Sequence, residues 1–221
     1  MPGKNLRVLC GKPLLTWTIE QAQKCGLFAV IAVSSDDDAI LDVGRAAGAT
    51  FLVRRPAEMA TDSAPKAPAV HHCVVEAEAS LGYEVDVIVD LQPTSPLRLP
   101  EDIIAAVELQ RRTGAESVIT GQQAKCSPYF SLVERRADGT VDLAKRPPIP
   151  FARRQDAPAC YDMNGSIYVW PRPVMTPSVS VFYPTTRLLE MPQQRSVDID
   201  TEFDFLFAEY LLQKRLCGQD S

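Results

Sequence analysis

The chain has 221 residues, 46% hydrophobic and 23% charged, with a formal net charge of −5. That length suits one domain carrying an insertion, and the acidic balance argues against a nucleic-acid binder, whose footprint is basic. No apolar run reaches the roughly 20 residues of a membrane span, no secretory apolar core follows Lys4, Arg7 and Lys12, and six scattered cysteines without a C-x-x-C pair point to a reducing compartment, the cytoplasm.

The first half alternates between two periodicities. Pro13 to Lys24 reads as a helix, with Pro13 suited to its first turn and Gly26 to its stop. "FAVIAVSS" (28–35) is a continuous apolar run, the signature of a strand covered on both faces. A helix over 37–47, a strand over 49–55, a helix over 68–81 and a strand over 85–91 follow. Pro100 to Thr113 is helical, and "ESVITG" (116–121) is a further strand. Strands alternating with helices of this length predict a parallel α/β sheet with helices on both faces.

From Gln122 to Met163 the chain turns polar and proline-rich, which predicts an inserted segment within a single domain spanning 1–221. "RADGT" (136–140) reads as a hairpin turn inside it. "GSIYVW" (165–170) resumes the core, and "RLLEM" (187–191) is another strand. Thr201 to Leu216 is a helix, with Thr201 and Asp204 forming a capping box. Phe203, Leu206, Phe207, Tyr210 and Leu211 fall on one stripe, which predicts the buried face.

Four stretches carry chemistry. "DLQPTSPLR" (90–98) leaves the most apolar strand stiffened by two prolines, and presents Gln92, Thr94, Ser95 and Arg98 as donors and acceptors for a substrate. Arg54 and Arg55 end a strand, where guanidinium groups suit phosphate or a planar base. Tyr161, Asp162 and Asn164 close a long polar segment ahead of a core strand. "RSVDIDTEFDF" (195–205) sets Asp198 and Asp200 on either side of Ile199. In extended backbone the two acids share one face and the isoleucine takes the other. Such a pair at a helix entrance suits Mg²⁺, which takes one or two carboxylates with phosphate oxygens and water. Nothing matches a hydrolase elbow, a zinc motif or a complete Walker loop.

With these residues in view, "PGKNLRVLCGKPLLTWTIE", "SSDDDAI", "RRPAEMATD", "DLQPTSPLR", "RRQDAPACYDMNGSIYVW" and "RSVDIDTEFDF" together resemble the acylneuraminate (CMP-sialic acid synthetase-like) cytidylyltransferases, in the family's order and over nearly the whole chain. The resemblance implies a Rossmann-like nucleotidyltransferase sheet, with the segment near 122–163 serving as a dimerisation insertion in a homodimer. It implies that CTP and a nine-carbon keto-sugar acid give a CMP-sugar and pyrophosphate with Mg²⁺. Lys4, Asp198 and Asp200 would then be catalytic, with the two aspartates holding the metal. Lys4, Asn5 and Arg55 would bind nucleotide, and Gln92, Tyr161 and Asn164 the sugar.

Two departures stand out. The apolar strand and "ARGGSKR"-like loop that the family places ahead of "PGKN" do not occur in the 221 residues, so the sheet is expected to lack a middle strand and the site its main triphosphate cradle. Pro65 and Lys66 replace the small hydroxyl residues that follow "TD". The alternatives are an inactive relative that binds nucleotide or sugar weakly, or a nucleotidyltransferase for an eight-carbon acid.

Overall fold

A computed structural model describes residues 3–218, apart from 62, 150 and 152. Pro2 and Asp62, which belong to two of the matched stretches, lie outside the described residues. A short antiparallel ribbon, β1 (Val8–Leu9) with β2 (Lys12–Pro13), leads into α1 (Leu14–Cys25). Gly26 ends α1 in the left-handed region, φ 66°, with its N–H donating to the Gln23 carbonyl, as the sequence predicts. Then come β3 (Ala32–Ser35), α2 (Asp38–Ala46), β4 (Phe51–Arg54), α3 (Lys66–Leu81), β5 (Val87–Leu91), α4 (Pro100–Thr113) and β6 (Val118–Gln123). The insertion carries a hairpin, β7 (Val133–Arg135) with β8 (Val141–Leu143), closed by the expected turn. The chain finishes with β9 (Tyr161–Pro171), β10 (Arg187–Glu190) and α5 (Glu202–Leu216).

The expected parallel sheet is corrected to a mixed one. Its order is β10-β6-β9-β5, with β10 parallel to β6 and β9 antiparallel to both β6 and β5. The physical reason is connectivity: β9 arrives from the insertion and not through a crossover helix, so nothing forces it parallel. Helices do cover both faces. Ile103, Ala106 and Val107 of α4 pack on Ile167 and Val169, while Val74 of α3 packs with Ile88, Tyr168 and Trp170 on the opposite face.

β3 and β4 form a separate parallel pair, and among the described residues no ladder joins them to the four-stranded sheet. A cavity of about 980 Å³ lies between the two sheets, lined along the length of both β3 and β5. The sequence predicts a strand from residue 28, yet β3 begins only at Ala32. An apolar run forms a ladder only where a neighbouring backbone pairs with it, and β4 supplies that neighbour for four residues alone.

The last helix carries a second correction. Its capping box forms as read, with the Thr201 N–H donating to the Asp204 carboxylate at 2.7 Å and the Asp204 N–H donating to Thr201 Oγ1 at 3.3 Å. The buried face, however, is Phe205, Ala208 and Leu212. Phe203, Leu206, Phe207 and Tyr210 are exposed, and Phe203 stacks on Phe207. α5 is apolar on more than one face, so the stripe of largest residues does not single out the packed one.

Candidate active site

The segment 195–200 is fixed before it reaches its two acids. Arg195 makes a two-pronged ion pair with the nearly buried Asp102 of α4, both N–O distances being 2.9 Å. Ser196 Oγ accepts from Asn164 Nδ2 at 3.0 Å. The Ile199 N–H donates to the Thr94 carbonyl at 2.9 Å, and the Ile199 side chain is fully buried among Leu9, Leu14, Leu97 and Phe205. Burying an isoleucine contributes about 1.5–3 kcal/mol. The core side of the segment is thus occupied by Ile199, and Asp198 and Asp200 line the cavity.

The two acids differ. Burial pushes the Asp198 carboxyl above its ordinary range, a hydrogen bond with Thr94 opposes this, and the nearby Asp200 charge adds to it. Asp198 Oδ1 is buried and has no hydrogen-bond partner. An orphaned carboxylate oxygen beside a second carboxylate is what a divalent cation would satisfy, so these residues fit Mg²⁺. Asp200 is exposed and pairs with Lys4 Nζ at 3.1 Å, and the same ammonium donates to the Ile199 carbonyl at 3.0 Å. Among the described residues no group of three potential ligands gathers, so the remaining ligands would come from phosphate and water.

Asn5 lines the same cavity. Arg55 reaches it from the end of β4, held by a bond to the Ser34 carbonyl at 2.7 Å. Gln92 enters at the end of β5. The fold therefore gathers Lys4, Asn5, Arg55, Gln92, Asp198 and Asp200, which are spread along the whole sequence, around one space.

Two of the expected sugar-binding residues sit elsewhere. Tyr161 is at the start of β9 opposite Gln123 and does not line the cavity. Asn164 is 4% exposed and its carboxamide is fully used: Oδ1 accepts from Thr120 Oγ1 and the Ser166 N–H, and Nδ2 donates to Ser196 and to Met191 sulfur. It fixes the segment that carries the acids. Arg98, read as a substrate contact, is likewise fully buried. Its guanidinium donates to the Gln92 carbonyl, the Ser166 carbonyl and hydroxyl, and Thr18 Oγ1. Burial pushes it down to about 9, with the Asp90 and Asp102 charges opposing.

The cavity also contains a pair that the motif reading passed over. Lys66, at the start of α3, forms an ion pair with Asp90 of β5, and its ammonium lies 4.9 Å from the centre of the Tyr168 ring. The available signal was Asp90 itself, a lone charge inside an apolar strand, which calls for a partner of opposite charge.

The geometry sets cations and a carboxylate pair around a cleft at strand ends, the place where α/β sheets hold ligands. A family model described as cytidylyltransferase matches residues 1–216. The chain belongs to the cytidylyltransferase family. Post-translational flagellin modification protein B of Campylobacter coli is 33% identical over 213 residues, covering 96% of this chain and 89% of that protein. The CMP-N,N'-diacetyllegionaminic acid synthase of Campylobacter jejuni is 34% identical, covering 99% and 92%. The N-acylneuraminate cytidylyltransferase A of Danio rerio is 31% identical, covering 95% of this chain and 47% of that one. Among solved structures, CMP:2-keto-3-deoxy-manno-octonic acid synthetase complexed with CTP superposes with a TM-score of 0.67 at 18% identity, covering 97% and 93%. That likeness establishes the α/β nucleotidyltransferase fold, and the mixed sheet of this cytidylyltransferase conforms to it.

Proposed function

We propose that this cytidylyltransferase transfers CMP from CTP to a nine-carbon, sialic-acid-like keto-sugar acid, releasing pyrophosphate, with Mg²⁺ held by Asp198 and Asp200. The observation that carries this reading is the orphaned, buried Asp198 oxygen at the edge of a cavity bearing Lys4, Arg55 and Gln92. The names of the relatives from Campylobacter jejuni and Danio rerio point to the same acceptor class. In the reaction the anomeric hydroxyl of the sugar attacks the α-phosphorus, a P–O bond forms to the sugar, the bond to the pyrophosphate leaving group breaks, and the hydroxyl proton passes to solvent. A divalent cation, when bound, neutralises the triphosphate and polarises the α-phosphoryl group.

The chain's own residues supply position and charge. Lys4, which pairs with Asp200 at 3.1 Å, would present its ammonium to the phosphates, and Asp200 would be one of the residues that hold the cation. Arg55 and Asn5 hold the nucleotide, and Gln92 orients the sugar. The reading also takes the chain as a homodimer formed through the segment near 122–163, in the cytoplasm. Its hairpin region exposes Leu132, Val133, Val141 and Ile149, the last at 81%, and such a patch is suited to a second copy.

The test is pyrophosphate release from CTP, Mg²⁺ and a panel of eight- and nine-carbon keto-sugar acids, with Asp200→Ala as control. Release that requires a nine-carbon acid and Asp200 is the expected outcome. A folded dimer that releases nothing with any acid refutes the enzymatic reading, and turnover confined to eight-carbon acids refutes the acceptor class.

A further inference from the structure

β9 carries an irregularity whose position matters. Ile119 pairs with Tyr168 and Gly121 with Met163, so between these pairs β6 advances two residues while β9 advances five. The surplus lies in 164–167 and bulges out of the ladder. Bulges re-aim side chains and are common beside active sites. Here the bulge turns Asn164 into the core and places Gly165 directly under Gln92.

Gly165 has φ +63°, a conformation that L-residues with side chains rarely adopt. Room for one is also tight. A Cβ built there would lie 3.2 Å from Gln92 Nε2, 3.4 Å from Cδ and 3.5 Å from Oε1. All three nearest atoms belong to one carboxamide, which therefore rests flat on the glycine. The Gln92 backbone is clamped separately: its N–H donates to the Ser166 carbonyl at 3.2 Å and its carbonyl accepts from Arg98 at 2.8 Å. No hydrogen bond within the described residues holds the carboxamide itself. Its placement comes from that floor, and the amide oxygen and nitrogen stay available to a polar ligand.

We infer that Gly165 is a specificity-determining residue for the acceptor: its bare Cα sets the depth at which the Gln92 carboxamide meets the sugar acid. The inference rests on the reading of Gln92 as the sugar-facing residue. A methyl group at 165 lifts the carboxamide toward the ligand and shortens the acceptor side of the cavity, leaving the nucleotide side unchanged.

The difficulty is that any substitution at φ +63° strains the backbone. Gly114 resolves it, since it has the same φ of +63° at the end of α4 and open space around it. We would compare Gly165→Ala with Gly114→Ala in the full chain, using N,N'-diacetyllegionaminic acid as the probe. Its affinity is read as KM in pyrophosphate release and as Kd by titration calorimetry. Both variants lower Tm by a similar few degrees. Gly165→Ala alone is expected to weaken the sugar acid at least tenfold while the KM for CTP stays within twofold. In a Gln92→Ala background the same change adds less than twofold, because the contact it perturbs is gone. Should Gly165→Ala behave like Gly114→Ala, or act equally with and without Gln92, the inference is overturned while the role of Gln92 stands. Should Gln92→Ala itself leave the sugar acid's affinity unchanged, the reading of Gln92 fails and this inference falls with it.

Discussion

The two banks of the cavity are built differently. On the bank of β5, β9 and 195–200, the backbone that carries the chemical groups is tied down: Arg98 clamps the Gln92 carbonyl, Asn164 ties β9 to Ser196, and Arg195 grips Asp102. On the bank of β3 and β4, Arg55 depends on one residue, Ser34, and neighbouring Arg54 pairs with Asp38 in solvent. The contrast teaches that a site can be preorganised for one substrate and left adaptable for the other. A small polar acceptor must be oriented by fixed donors, whereas a triphosphate brings enough charge to order its own partners.

The largest effect should come from Asp198→Asn. Burial already disfavours the charged carboxylate, so the neutral isostere leaves Tm unchanged or higher. Pyrophosphate release should nonetheless fall by about 10³ or more, the scale on which removing a charge-stabilising group acts. A matching loss of Tm would mean that Asp198 is structural and that the contrast between the banks is misdrawn.

Next is Ile199→Ala, which empties a fully buried position and should destabilise the fold by about 2–5 kcal/mol in denaturant titration. It should also lower activity with both acids intact, because the segment that aims them loses its anchor. Undiminished activity in the folded variant would show that the acids do not depend on that anchor.

The smallest effect concerns the joint between the banks. Glu78 of α3 binds Arg172 through two bonds, of 2.6 and 2.9 Å, and accepts from the Val85 N–H at 3.1 Å. Arg172 holds its carboxyl below the ordinary value of 4.5. A depressed carboxyl contributes stability that is present above the unfolded value and is lost as pH falls through the folded one. Glu78→Gln should therefore cost about 1–3 kcal/mol at pH 7. The gap from the parent should close as pH drops below 4.5. A gap that persists at low pH would assign the loss to packing.

Much of this was legible in the residues. α4 was readable to its ends because Pro100 opens it and Gly114 closes it, and local chemistry alone sets both. Arg55 and Gln92 could be found because each follows an apolar strand, and Asp198 and Asp200 because they precede a capped helix, whereas Lys4 and Asn5 were legible only through the family resemblance. The direction of β9 was not legible, since a period of two is the same in either direction. Nor was the buried face of α5, where Ala208, small and unremarked, sits at the contact while larger neighbours face outward. Tyr161 and Asn164 illustrate the limit of polar segments as signals: sequence gives their chemistry, but only packing decides whether an amide serves a ligand or the frame.

The split between the two sheets has a dynamic consequence. Backbone bonds across a sheet are what make its strands open together, and none crosses from β3 to β5. The two sheets are therefore expected to open as two cooperative units, and in hydrogen exchange the amides of 32–35 and 51–54 should open at lower free energy than those of 118–123 and 167–170. On the proposed reading nucleotide would touch both units and act as the crosspiece, and its arrival should be read most clearly as a slowing of exchange in the weaker one.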